Sequence, residues 1–213
     1  MRKAVLRCTR PIHHNLRDKK LDFFFEFMQG ELCGSLLDVG GGFGLNSEFL
    51  RLHQAFSDVI IVNVATPPKW NAVLRTQKPE LILGDGCRLP LRSGSVDWVF
   101  SNAVIEHVGN WERQRQFANE IRRVARKGYF VTTPNKYFPI EPHTYLPFYQ
   151  FLSEPAQRKV VGLAPAWVHS YEEAKQIELL SAKQMGQLFP EADVRKIGFP
   201  VLPNSLIAYH RIQ

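Results

Sequence analysis

With 213 residues, 45% hydrophobic and 22% charged, the chain suits one globular α/β domain and is too apolar to be disordered. No apolar run approaches the roughly 20 residues that span a bilayer. The basic N-terminus lacks the apolar core of a signal peptide, and Cys8, Cys33 and Cys87 form neither a disulfide framework nor a C-x-x-C metal set, so a reducing cytoplasm is the expected compartment.

The net charge of +7 is concentrated at the start, where residues 1–20 hold seven Lys/Arg against one acid, Asp18. This basic arm reads as a solvated terminus, or as a surface for nucleic acid, anionic lipid or an acidic substrate. No basic-aromatic module accompanies it. Residues 14–29 follow as a helix, with Leu21, Phe24, Phe25 and Met28 at helical spacing. The phenylalanines at 23–25 and 27 read as packing. Arm and helix together take up residues 1–33.

Strands are predicted at Leu36–Val39, Val59–Val64, Leu81–Leu83, Val96–Phe100 and Gly128–Thr133. Helices are predicted over Leu45–Gln54 and, capped by Asn110, through Ala125. On the second of these, Arg113, Arg115, Arg122 and Arg123 read as a solvated face. Residues 134–170 change texture, with prolines at 134, 139, 142, 147, 155 and 165 interleaved with aromatics, as in a loop-and-short-helix lid. A helix over 172–189 and a final strand pair at 192–197 and 205–209 complete the chain. Alternating strands and helices predict a doubly wound, Rossmann-like sheet of seven strands. It is mostly parallel, with helices on both faces and the last strand antiparallel, in a single domain over 1–213.

Leu36 to Gly44, LLDVGGGFG, carries the most chemistry. A buried strand that ends in a glycine turn and opens a helix suits a nucleotide-like ligand, because glycines let the backbone bend and approach closely. A dinucleotide fingerprint fits less well. Its third glycine would fall at Leu45 or Ser47, and its ribose acid belongs some 20 residues beyond Asp38. An ordinary glycine-rich turn is the remaining alternative.

The acid followed by alternating glycines, Asp38, Gly40, Gly42 and Gly44, resembles motif I of the class I S-adenosyl-L-methionine (SAM) methyltransferases, of the type 11 kind. The resemblance extends over about residues 34–135. It implies SAM as cofactor, with Asn63 where the family usually has a ribose-binding acid. An amide there offers one acceptor oxygen and no charge. It also implies Asp85 near the adenine amino group and Asn102 near the methionine moiety. Ile105-Glu106-His107-Val108 resembles the E-H-V element of SAM O-methyltransferases, which implies His107 as general base. His143, in Glu141-Pro142-His143, is the second candidate. Some RNA 2′-O-methyltransferases hold Mg²⁺ with an E-x-x-E-H element and a later histidine. Here the first Glu position is Ala103, so the set is incomplete and no metal is expected. The run TPNKYFPIEPHTYLPF suggests a small or sugar-like acceptor under the lid. A non-catalytic SAM-fold binding module and an RNA methyltransferase guided by the basic arm are the alternatives.

Overall fold

The computed structural model describes residues 19–30, 32–41, 51–52, 54–66, 79–163, 170–199 and 201–212. Its strands are β1 (Ser35–Val39), β2 (Asp58–Asn63), β3 (Glu80–Leu83), β4 (Val96–Asn102), β5 (Ala125–Pro134), β6 (Asp193–Gly198) and β7 (Pro203–Arg211). Its bounded helices are α1 (Trp111–Val124), α2 (Glu154–Leu163), α3 (Tyr171–Ala174) and α4 (Ala182–Leu188), and residues 19–28 are also helical. The basic arm up to residue 18, Gly42, Gly44 and most of the helix expected over 45–54 lie outside the described residues. Residues 51, 52 and 54 are helical.

The strands form one sheet in the order β3-β2-β1-β4-β5-β7-β6. β1 to β5 pair in parallel, and β7 runs antiparallel to both β5 and β6. β1 and β4 are buried almost end to end, as expected of strands covered on both faces. Alternate residues feed opposite cores. Leu37, Val39, Val99, Tyr129, Val131, Leu206 and Ala208 face one side, with Phe117, Ile121 and Val124 of α1 and Met185 and Leu188 of α4. Leu36, Trp98, Phe100, Phe130 and Ile207 face the other, under Leu21, Phe24 and Met28 of the 19–28 helix. The Phe24 ring meets Phe100 and Phe130 edge-on at 5.4 and 5.2 Å, so the phenylalanine cluster packs the core. Burying each such side chain stabilises the fold by about 1.5–3 kcal/mol.

The Asn110 cap is as expected. Its side chain accepts from the Arg113 N–H at 3.1 Å. Three expectations need correcting. β5 begins at Ala125, directly from the end of α1, three residues before the predicted start. The helix expected over 172–189 breaks between α3 and α4, because Ser181 starts a second helix with a full capping box to Gln184. In the break, the Glu178 N–H donates to the Glu106 carbonyl at 2.9 Å and the Lys136 N–H to the Leu180 carbonyl at 2.9 Å. The arginines of α1 are not simply solvated. Arg113 pairs with Asp85, Arg122 with Glu191, and Arg123 with Glu120 and the Leu89 and Leu91 carbonyls. Residues 134–163 consist of turns, a 3-10 turn at Tyr149–Phe151 and α2, the mixture of loop and short helix read from the sequence. They pack on the end of the sheet through Asn135, whose side chain donates to the Pro203 carbonyl at 2.7 Å.

Candidate functional site

The strand order reverses between β1 and β4, and open α/β sheets bind ligands at the carboxyl ends of strands at such a switch point. A cavity of about 290 Å³ lies there. Val39 and Gly40 after β1, Asn63 and Val64 after β2, Gly84, Asp85 and Gly86 after β3, and Val104, His107, Val108, Arg113 and Phe117 line it. Gly40 has φ +75°, and a Cβ on it would stand 2.4 Å from Val104 Cγ2. Only glycine fits both the backbone and the space. A Cβ on Gly86 would stand 2.6 Å from the Phe117 ring, so that glycine lets α1 close the cavity floor.

The polar groups here are already partly engaged. Asn63 Nδ2 donates to the Gly41 carbonyl at 3.3 Å, clamping the turn. Asp85 Oδ1 accepts from the Cys87 N–H at 2.9 Å and Oδ2 from Arg113 at 2.7 Å. Burial pushes the Asp85 carboxyl up, but the Cys87 N–H and the Arg113 guanidinium outweigh it and hold the pKa below the ordinary value. Ionised, the carboxylate keeps lone pairs for a further donor. Asp38 is buried beneath the turn, where a Cβ on Gly41 would meet its carboxylate at 2.4 Å. The Asn102 side chain turns onto β5 and accepts from the Thr132 hydroxyl at 2.7 Å. Neither Asp38 nor Asn102 is among the cavity-lining residues.

On the rim, a 3-10 turn at Ile105–His107 presents His107, whose side chain is 46% exposed. Its ring meets that of His143 edge-on, with centroids 4.9 Å apart. The two histidines singled out in the sequence, 36 residues apart, are therefore neighbours. His143 Nδ1 lies 2.7 Å from Glu141 Oε1. Burial raises the Glu141 carboxyl, but the hydrogen bond and charge of His143 and the Thr144 N–H bring it down below the ordinary value. An ionised carboxylate only accepts, so Nδ1 carries the proton in this hydrogen bond and Nε2 is the ring nitrogen left outside it.

Glu106, Glu141, Thr133 and Arg113 belong to the site and were not singled out as site residues by sequence. Glu106 is fully buried, and Oε2 accepts from the Thr133 hydroxyl at 2.9 Å. Burial raises its pKa, against its own backbone N–H and the Thr133 hydroxyl. Both acids stand beside the chosen histidines in the motifs already quoted. That adjacency was the available signal. His107, His143, Glu106 and Glu141, four groups able to accept, donate or hold a proton, thus cluster where His107 borders the cavity, an arrangement suited to acid–base work on a bound hydroxyl.

Residues 37–132 match a family model described as a methyltransferase domain. An S-adenosylmethionine-dependent methyltransferase from Clostridium acetobutylicum ATCC 824 superposes with a TM-score of 0.68 at 10% identity, covering 99% of this chain and 98% of that one. Magnesium protoporphyrin IX methyltransferase (ChlM) from Synechocystis PCC 6803, solved with bound SAH, gives 0.62 at 16% identity, covering 98% and 87%. At these identities the likeness is one of fold. The mouse (Mus musculus) tRNA (carboxymethyluridine(34)-5-O)-methyltransferase ALKBH8 is 28% identical over 104 residues, which is 48% of this chain and 15% of that protein. The chain thus spans a small part of that relative's length.

Proposed function

We propose that this chain, a class I SAM-dependent methyltransferase, moves the methyl group of SAM to an oxygen of a small acceptor. The observation that carries the oxygen reading is the His107–His143 pair, braced by Glu141 at the rim of the cofactor cavity. The residues fit the cofactor. Gly40 lets the backbone approach it, Asn63 and Asp85 offer acceptors for ribose and adenine, and Asp38 underpins the turn. Gly42 and Gly44 continue the same motif. Asn102 supports the far wall through Thr132. When bound, SAM supplies a sulfonium methyl already activated for in-line displacement.

The chain's own task is positioning and proton management. Held by the Gly40 turn, Asn63 and Asp85, the cofactor would supply the methyl group and its sulfur would keep the bonding pair, while this chain aligns the acceptor oxygen. The acceptor's O–H proton passes to an imidazole nitrogen, and His143, braced by Glu141, is the more firmly held of the two. Residues 134–163, with Tyr137 and Phe151 stacked at 6.2 Å, would cover the acceptor as a lid; residues 164–169 of the expected lid lie outside the described residues.

His107→Ala and His143→Ala test this with turnover and SAM affinity measured together. Loss of a general base lowers the rate about 10²- to 10⁴-fold, while SAM affinity holds. Near-full turnover in both variants would remove the pair from the chemistry. An RNA acceptor is the second reading, favoured by the mouse tRNA methyltransferase match and the basic arm. It requires RNA affinity that falls steeply with salt and is lost on deleting residues 1–20.

A further inference from the structure

A second cavity, of about 310 Å³, shares no residue with the cofactor cavity. Its size is at the lower end of the range for small-molecule sites. Lys136, Glu141, Tyr149 and Gln150 line it, together with residues of α2, of α3 and of the break after α3. That break, which helical periodicity does not show, is what brings Glu178 to the cavity. It is pinned by the Glu178 N–H on the Glu106 carbonyl at 2.9 Å and by Gln114 Nε2 on the Glu178 carbonyl at 2.8 Å. Glu141 connects the two cavities. It lines this one and holds His143, whose ring meets that of His107 in the lining of the other.

Some polar groups of this second cavity are already engaged. Glu141 is held by His143, Glu154 pairs with Arg158 at 3.3 Å, and Lys175 pairs with Glu172. Others are not. The Tyr149 hydroxyl and Gln150 Oε1 are buried without a hydrogen-bond partner among the described residues. Gln150 Nε2 donates to the Lys136 and Phe138 carbonyls at 3.0 and 2.7 Å, so the amide must present its oxygen on the other side. The Lys136 ammonium and the Glu178 carboxylate have no ion-pair partner among the described residues. Buried polar atoms left unpaired cost free energy that a bound partner offsets.

We propose that this cavity binds the body of the methyl acceptor, a neutral polyhydroxylated ring of the sugar or cyclitol class. Gln150 Oε1 and Glu178 need a donor, Lys136 needs an acceptor, and the Tyr149 hydroxyl takes either. A hydroxyl is the neutral group that both donates and accepts. An anionic ligand would face Glu154 and Glu178, and a cationic one Lys136 and Lys175, so the lining favours neither sign. Ala174, Ile177 and Leu179 add apolar surface for the C–H face of a ring. The ring's identity as acceptor rests on the oxygen-acceptor reading, in which a hydroxyl beside Glu141 reaches His143. The ring site itself does not depend on that reading.

The test is saturation-transfer NMR on the full chain, with S-adenosylhomocysteine added to fill the cofactor cavity. The probes are methyl α-D-glucopyranoside, methyl α-L-rhamnopyranoside and myo-inositol, with cyclohexanol as the single-hydroxyl control. The expected result is saturation of at least one polyol and none of cyclohexanol. Lys136→Met and Glu178→Gln, at a half-buried and an exposed position, should each weaken polyol binding about 10-fold, the scale for losing a hydrogen bond to a charged group. Tyr149→Phe should weaken it a few-fold and leave the melting temperature of the ligand-free chain level or higher, because it removes an unpartnered hydroxyl. Saturation of none of the polyols, or wild-type affinity in both Lys136→Met and Glu178→Gln, would overturn the proposal. Polyol binding that depends on Lys136 and Glu178, with radiolabelled methyl passing from SAM only to nitrogen or carbon acceptors, would sink the oxygen reading and keep the ring site.

Discussion

The two ends of β4 treat a buried carboxylate in opposite ways. At the amino end, every oxygen of Asp97 is engaged. Oδ1 accepts from Arg126 Nε at 3.0 Å and Nη2 at 2.7 Å, and Oδ2 from the Ser35 N–H at 3.1 Å, with Lys127 at 3.4 Å. Just past the carboxyl end, Glu106 is more deeply buried, has one hydroxyl donor, and has an oxygen with no hydrogen-bond partner among the described residues. Both acids are costly to bury. Asp97 is satisfied and ties β1, β4 and β5 together. Glu106 is held ready and contributes little to stability in return. One strand therefore separates the structural end of the sheet from the chemical end.

The largest expected effect sharpens that contrast. Glu106→Gln should lower turnover about 10²-fold or more, the scale for losing an acid–base group. Its melting temperature should stay level or rise, because a buried charge is removed. A sharp fall in melting temperature would make Glu106 another structural acid and erase the distinction.

Asp97→Asn should do the reverse. Breaking a buried ion pair costs up to about 3–5 kcal/mol. With Arg126 and Lys127 exposed, about 2–3 kcal/mol of stability is the expected loss, at unchanged turnover below the melting range. Burial pushes the Asp97 carboxyl up, but Arg126, the Ser35 N–H and Lys127 bring it below its ordinary value. The stabilisation is therefore complete above the unfolded pKa, near 4, and is lost as pH falls through the lower folded value. Melting curves of wild type and variant should converge as the pH drops below about 4. Parallel curves across that range would show that Asp97 contributes nothing through its charge.

The residues around the switch-point cavity were more legible in the sequence than the cluster around the two histidines, for a physical reason. Asp38, Gly40, Asn63 and Asp85 sit at or just beyond strand ends that short apolar runs announce, so spacing alone brings them together. Asn110 announces α1 in the same local way. Glu106 and His143 meet only through tertiary packing of residues 134–163, and nothing local shows that a Glu beside a His is buried with an oxygen unpaired. The break at 175–181 was hidden similarly. Helical periodicity runs through it, and the contacts of Glu178 with Glu106 and of Lys136 with Leu180 override it. The side chain of Asn102 points onto β5 because Thr132 stands in register beside it, a pairing invisible in one dimension.

Gly40→Ala probes the cofactor end with a smaller effect. A non-glycine residue in the left-handed region costs about 1–2 kcal/mol, and the new Cβ presses on Val104. SAM affinity should fall by roughly the 10-fold that 1.4 kcal/mol represents. Adding Val104→Ala relieves the clash and leaves the backbone strain, so recovery should be partial. Full recovery would show that space, and not backbone conformation, requires the glycine.

The smallest expected effect comes from Asn63→Asp, where two effects oppose each other. The amide now donates to the Gly41 carbonyl at 3.3 Å, a long contact between neutral groups that contributes at most about 1 kcal/mol. Aspartate cannot make it and turns an oxygen toward that carbonyl, so the cofactor-free protein should melt slightly lower. Toward ribose, a carboxylate accepts from both hydroxyls, and hydrogen bonds to an ionised acceptor are roughly twice as strong as neutral ones. The ribose gain exceeds the clamp loss, so SAM should bind a few-fold more tightly while the free protein loses a little stability. Calorimetry and thermal melts on the same sample separate the two effects. Weaker SAM binding would show that holding the turn is the main work of Asn63, and would move this residue from the chemical end of the sheet to the structural one.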